Sequence, residues 1–123
     1  MATSPSGHAM VLDSDRTPNT GPGPMELLLM ALGACTATDV VIILEKKRQK
    51  LESLEVICSG ERAEEPPKVW VRLEVLYRLR GNLDEEAVKH AIKLSEEKYC
   101  SVSATLQKSA SLTWKYEIHA PKS

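Results

Sequence analysis

The apolar positions change period several times along the chain, and each change marks an element. Residues 8 to 13, His8-Ala-Met-Val-Leu-Asp13, alternate weakly and predict a short strand, after which Asp, Pro, Asn and Gly fill a loop from Ser14 to Gly23. From Pro24 to about Lys50 the pattern turns helical. Pro24 suits a first helical turn, Glu26 complements the positive end of the helix dipole, and Lys46-Lys47-Arg48 complement the negative end. Leu54, Val56 and Cys58 then share one face of a strand, opposite Glu55, Ile57 and Ser59, and Glu64-Glu65-Pro66-Pro67 closes the run as a turn. A second strand, Lys68 to Arg80, sets Val69, Val71, Leu73, Val75, Tyr77 and Leu79 against Trp70, Arg72, Glu74, Leu76, Arg78 and Arg80, so the pair reads as a hairpin. Asp84 is the predicted N-cap of a second helix, Glu85 to about Tyr99, with Val88, Ala91, Ile92, Ser95 and Tyr99 turned inward. A break and restart at Cys100-Ser-Val-Ser-Ala-Thr105 leads to a last strand, Ala110 to Ile118, whose Ala110, Leu112, Trp114, Tyr116 and Ile118 alternate with polar neighbours.

The first helix is the exception to this amphipathic pattern. Met25 to Leu44 is apolar nearly all round, and its length is close to that of a membrane span. Asp39 would then lie in hydrocarbon at a cost of about 2.5 to 3.5 kcal/mol, inside a chain that otherwise reads as a soluble α+β pattern. The better reading is a central helix, largely buried, that the remaining strands of so short a chain are too few to cover. A second copy of the chain would cover it, which predicts an obligate homodimer with a shared core.

Composition narrows the function classes. A chain of 123 residues with 42% hydrophobic and 27% charged residues fits one globular domain, spanning residues 1–123. Its net charge of −1 offers no electrostatic footprint for nucleic acid or an anionic membrane. The basic run Lys46-Lys-Arg-Gln-Lys50 is accounted for as a solvated helix end. The start, Met1 to His8, has neither a basic nor an apolar signal region, so a cytoplasmic location is expected. Three cysteines without a C-x-x-C pair make neither a secreted disulfide framework nor a zinc site, and His8, His90 and His119 stand at no ligand spacing. No cofactor or metal is expected.

The cysteines carry the chemistry that remains. Cys35 lies in Leu32-Gly-Ala-Cys-Thr-Ala-Thr-Asp39, where small neighbours leave the thiol approachable and Asp39 falls one turn later on the same face. The plainer alternative is a small core residue. Cys100 stands at the mouth of a restarting helix, where unpaired amides lower a thiol pKa; the alternative is a buried junction residue. Cys58, on an inward strand face, reads as structural. Two reactive thiols suit stepwise oxidation, in which a sulfenic acid formed on one condenses with the other and a dithiol reopens the bridge. A guanidinium beside the first sulfur favours its thiolate, which makes loop residue Arg16 a candidate against the ordinary reading of a solvated arginine.

Asn19-Thr-Gly-Pro-Gly-Pro-Met-Glu-Leu-Leu-Leu-Met-Ala-Leu-Gly-Ala-Cys-Thr36 and Glu97-Lys-Tyr-Cys-Ser-Val-Ser-Ala104 resemble the two cysteine motifs of the OsmC/Ohr superfamily, in the branch often called YhfA-like. The resemblance covers nearly the whole chain. It implies an α+β fold, with an antiparallel sheet packed around a long central apolar helix and a second helix, in an intertwined homodimer with active sites at the subunit interface. It also implies a further strand ahead of the one at His8, which this chain is expected to lack. In peroxidase members the first cysteine reduces an organic hydroperoxide, the second resolves it, a dithiol restores the pair, and an Arg and a Glu assist. Residue by residue, Cys35 matches the peroxidatic cysteine, Cys100 the resolving one, and Arg16 and Glu26 the helpers. Family peroxidases place the Glu directly after the motif proline, where this chain has Met25. Nine residues at about 100° each put Glu26 on the far side of an ideal helix from Cys35, roughly 13 Å along the axis. Within one chain they cannot meet unless the helix breaks. The alternative function is a non-enzymatic dimeric protein of the stress response that senses redox state or binds a small ligand.

Overall fold

The computed structural model describes residues 1–122. A two-residue strand β1 (Ala2–Thr3) pairs antiparallel with β2 (Ala9–Met10), apart from the main sheet. A strand therefore does stand ahead of His8, and the one expected at residues 8 to 13 is reduced to two residues. Helix α1 runs unbroken from Pro24 to Lys46. Pro24 occupies its first turn, and the Glu26 carboxylate accepts the Gly23 N–H at 3.0 Å, meeting one of the orphan donors of the helix start. At its other end Arg48 adopts a left-handed φ of 59°. The Gln49 N–H then reaches Leu44 O at 2.9 Å and the Arg48 N–H reaches Glu45 O at 2.9 Å, a Schellman closure. This stop lets strand β3 begin at Lys50, so the helix is shorter than the sequence pattern suggests.

Strands β3 (Lys50–Arg62) and β4 (Trp70–Asn82) form the antiparallel hairpin, and β5 (Ser111–His119) lies on the other side of β4. The β4–β5 pair is parallel, running from Arg72↔Ser111 to Arg80↔His119. The sheet is thus mixed, which corrects the wholly antiparallel expectation. Parallel neighbours need a long crossover, and residues 83–110 supply it as α2 (Glu85–Leu94), a π-helical turn (Ser95–Tyr99) and α3 (Ser101–Leu106). Asp84 caps α2 by accepting the Ala87 N–H at 3.1 Å, as expected.

One face of β4 forms the floor of the core, with Leu73, Val75, Tyr77 and Leu79 essentially inaccessible. Against it pack Leu32, Val40 and Leu44 from α1 and Val88, Ala91 and Ile92 from α2. Trp70 departs from the expected alternation. A bulge at Val71 shifts the register between Glu61 and Arg62, so Trp70 turns inward, is buried, and its indole N–H donates to Met25 O at 3.1 Å. Tyr99 departs too, standing 53% exposed. The π-turn adds a residue to the helical repeat, and Glu96 takes the inward place instead.

Only 28% of the most apolar stretch of α1 is buried within the chain. The face bearing Leu32, Gly33, Thr36, Val40 and Leu44 is covered, whereas Leu28, Met30 and Ile42 face outward. The helix is therefore a core helix on one side and an apolar surface on the other.

A second bulge, between Leu51 and Ser53, brings the β3 backbone against Gly81, whose φ is 148°. A Cβ there would collide with Lys50 O. Gly81→Ala is predicted to lower stability by about 2 kcal/mol, read as a reduced urea midpoint with an unchanged m-value; a midpoint equal to wild type would show that the bulge yields freely.

Candidate functional site

The π-turn brings the two thiols together. Its closing bond, Cys100 N–H to Ser95 O at 2.8 Å, ends the helix and leaves Cys100 extended, as the N-cap of α3. The Cys100 Sγ accepts the Ser103 N–H at 3.4 Å and is 3% exposed. Cys35, in the middle of α1, faces this junction, with its Sγ 3.9 Å from Ser101 Oγ. The Sγ atoms of Cys35 and Cys100 and a carboxylate oxygen of Asp39 all lie within 4.8 Å of one another. Among the described residues no histidine joins this trio.

The two sulfurs are electrically unequal. Burial opposes ionisation of Cys35, but the Val102 N–H, the Cys100 thiol and the Ser101 hydroxyl and N–H all point at it, and the net effect lowers its pKa. Cys100 is pushed up to about 12 by burial, by its bond to Cys35 and by the Glu96 charge. Of the two readings of Cys100, the structure has the buried junction residue. Its thiol is the buried, protonated member, and Cys35 is the half-buried one whose thiolate the junction stabilises. Cys58 is raised to about 11 by burial and by Glu96, and it packs beside Gly33, where an added Cβ would stand 3.4 Å from its Sγ. That fits the structural role expected of it.

Behind the thiols lies a buried polar chain that the sequence pattern did not single out. Ser95 Oγ donates to Asp39 Oδ2 at 2.9 Å and contacts Thr36 Oγ1 at 2.7 Å. Thr36 Oγ1 is in turn 2.7 Å from Tyr77 Oη, which donates to Glu96 Oε1 at 2.6 Å. Ser103 Oγ donates to Glu96 Oε2 at 2.9 Å and accepts from Gln107 Nε2 at 2.7 Å. Thr36, Tyr77, Ser95, Glu96 and Ser103 are all buried, and the neighbouring Glu96 charge drives the Tyr77 pKa upward along with burial. The available signal was that Tyr77 and Ser95 fall on inward faces of their predicted elements, where a hydroxyl needs a partner.

Arg16 and Glu26 form a separate pair. The guanidinium bonds Glu26 Oε1 at 3.0 Å and closes the loop by donating to the carbonyls of Asp13 and Gly21. Asp13 braces the same loop through the Thr20 hydroxyl at 2.6 Å. The Gly23 N–H and the Arg16 charge hold the Glu26 carboxyl below its ordinary range. Both side chains are more than half exposed. Because α1 is unbroken, Glu26 stays about 13 Å along the axis from Cys35 and on another face. Within the chain the structure unites Cys35 with Cys100 and Arg16 with Glu26, but it does not unite the two pairs.

Comparison with known proteins finds relatives of this chain. The sequence profile of the family described as OsmC-like protein matches residues 17–115. The chain is 40% identical over 121 residues to Protein YhfA of Escherichia coli (strain K12), covering 98% of this chain and 90% of that protein. A crystal structure of a hypothetical protein from Aquifex aeolicus VF5 is similar with a TM-score of 0.80 and 40% identity, over 84% of this chain and 78% of that one. The organic hydroperoxide resistance protein OhrB of Bacillus subtilis shares the fold at a TM-score of 0.64 and 16% identity, over 94% of this chain and 87% of that one. The chain belongs to the OsmC-like protein family, in the branch of YhfA.

Proposed function

We propose that the protein is a thiol-dependent reductase of organic hydroperoxides that works as a homodimer in the cytoplasm. The observation that carries this reading is the pairing of a half-buried Cys35, favoured as thiolate, with a protonated Cys100 at the same helix junction. In the reaction the Cys35 thiolate attacks the distal peroxide oxygen. The S–O bond forms, the O–O bond breaks, and the departing alkoxide takes a proton to become an alcohol. The Cys100 thiol then attacks the sulfenic sulfur, releasing water and leaving a disulfide, which an external dithiol reduces by exchange.

The dimer supplies what one protomer lacks. The outward apolar side of α1, together with a groove of about 370 Å³ between α1 and β3 lined by Leu29, Met30, Gly33, Ala34, Ala37, Val56 and Cys58, is the surface a second copy would bury. With two α1 helices packed face to face, Arg16 and Glu26 of each chain serve the thiols of the other. The guanidinium then stabilises the thiolate and the developing alkoxide, with Glu26 orienting it. The apolar wall selects a hydroperoxide with a hydrocarbon body. The separation of the Arg16–Glu26 pair from Cys35 within a protomer favours a second reading, a dimeric thiol sensor or small-ligand protein whose disulfide forms without rapid turnover.

Iodoacetamide at neutral pH is expected to label Cys35 first, with Cys58 and Cys100 following only as the pH rises, as followed by peptide mass mapping. Equal labelling of all three would remove the proposed asymmetry. One equivalent of cumene hydroperoxide should be consumed by the reduced protein with formation of a Cys35–Cys100 disulfide, and excess dithiol should sustain turnover. Peroxide loss that is unchanged in Cys35→Ser would sink the enzymatic reading, and a disulfide formed without dithiol-driven turnover would favour the sensor.

A further inference from the structure

The chain of hydroxyls behind the thiols has a proton count that does not close. It contains four oxygen–oxygen contacts, Asp39–Ser95, Ser95–Thr36, Thr36–Tyr77 and Tyr77–Glu96, at 2.9, 2.7, 2.7 and 2.6 Å. Each contact this short needs a proton between its oxygens. Ser95 gives its proton to Asp39 and Tyr77 gives its proton to Glu96, which leaves Thr36 with one proton for two contacts. With both carboxylates ionised, three hydroxyl protons serve four contacts. One added proton, placed at either end, fills all four and sets every hydroxyl in one direction. Among the described residues Glu96 has no cation paired with it, although it is 6% exposed.

The position of the chain gives that vacancy a use. Its Asp39 end lies within 4.8 Å of both reactive sulfurs, a gap that one water spans. An ionised carboxylate beside Cys35 opposes formation of the thiolate. If Asp39 takes the Cys35 proton, Ser95 and Thr36 turn toward Tyr77, which already donates to Glu96, and all four contacts hold a proton.

We propose that Asp39, Ser95, Thr36, Tyr77 and Glu96 form a proton wire that accepts the Cys35 proton as the thiolate forms and returns it, through Asp39, to the departing oxygen. The transfer is balanced. The Cys35 S–H bond breaks, an O–H bond forms at Asp39, and the charge that Asp39 gives up stands on the Cys35 sulfur while Glu96 stays ionised. On peroxide cleavage the same proton converts the alkoxide to an alcohol and the wire regains its starting charge. This deepens the thiol reading, but it concerns ionisation alone and can be tested without a peroxide. Thr36, Tyr77 and Glu96 are positioning residues, acting through Asp39. The titratable groups gathered between α1 and the elements packed on it are Cys35, Asp39 and Lys46 on α1, Lys47 just past its end, His90 on α2, Glu96, Tyr99 and Cys100 from the rest of the crossover, Cys58 from β3 and Tyr77 from β4.

The test is the pH profile of Cys35 alkylation by iodoacetamide, measured on the intact reduced protein by peptide mass for wild type, Thr36→Ser, Thr36→Val and Glu96→Gln. Thr36→Val cuts the wire at its centre. In Glu96→Gln the amide N–H can donate to Tyr77, so all four contacts are filled and no place remains for the thiol proton except an isolated Asp39. Both variants should move the midpoint up by about one pH unit, which is roughly tenfold slower labelling below both midpoints. Thr36→Ser keeps the hydroxyl and should match wild type. Glu96→Gln separates this from simple electrostatics, because the removal of a negative charge by itself moves a nearby thiol midpoint down. A Glu96→Gln midpoint equal to or below that of wild type overturns the wire, as does a folded Thr36→Val with the wild-type profile. Should Thr36→Val fail to fold, the near-isosteric Glu96→Gln decides the question alone. Retention of the predicted shifts in a protein that consumes no cumene hydroperoxide would keep the wire and discard the reductase.

Discussion

The π-helical turn at Ser95–Tyr99 is the constraint on which the rest of the site depends. One extra residue in the helical repeat turns Glu96 into the core, releases Tyr99 to solvent and ends the helix with Cys100 extended. Without it α2 would run on as a regular amphipathic helix, and neither the buried carboxylate nor the second thiol would face α1. Such turns persist where surrounding contacts compensate the poorer local geometry. Here the Cys100 N–H to Ser95 O bond, the two hydroxyl donors on Glu96 and the restart of the helix at Ser101 do so.

From that turn the electrostatics of the thiols follow. The junction directs two amides and a hydroxyl at Cys35, whereas Cys100 is enclosed next to Glu96. Burial alone would raise both sulfurs, so hydrogen bonding decides which one ionises. A buried carboxylate without a paired cation is costly unless its lone pairs are met. Tyr77 and Ser103 meet those of Glu96, and the hydroxyl chain links it to the Asp39 carboxylate next to Cys35. The same few oxygens thus satisfy the buried carboxylate and tie it to the thiol site.

Much of the fold was legible in local sequence. Alternation placed β5 and the inward face of β4, Asp84 marked the start of α2, and the mostly apolar α1 pointed to a helix that the rest of the chain leaves partly uncovered. What escaped was set by tertiary contacts. The bulge that turns Trp70 inward and the π-turn that exchanges Tyr99 for Glu96 each insert one residue, and no local composition distinguishes an inserted residue from a regular one. The parallel pairing of β5 depends on where the crossover returns the chain, which periodicity does not encode. The motif cysteines were found from sequence, but which of them is the buried one was not, because the depth of the junction beneath α1 is a property of packing.

The reductase account rests on a site in two parts: a thiol pair built within one protomer and an Arg16–Glu26 pair brought to it by the partner. A hybrid dimer tests this most directly. Cys35→Ser and Arg16→Ala homodimers, each expected to be nearly inactive, are mixed under exchange conditions and assayed for cumene hydroperoxide consumption with excess dithiol. The account predicts that activity returns, because in the hybrid one site combines an intact Cys35 with an intact Arg16 from the other chain. Absence of recovery in a mixture shown by native mass measurement to contain hybrids, or a chain that stays monomeric while turning over, would contradict it.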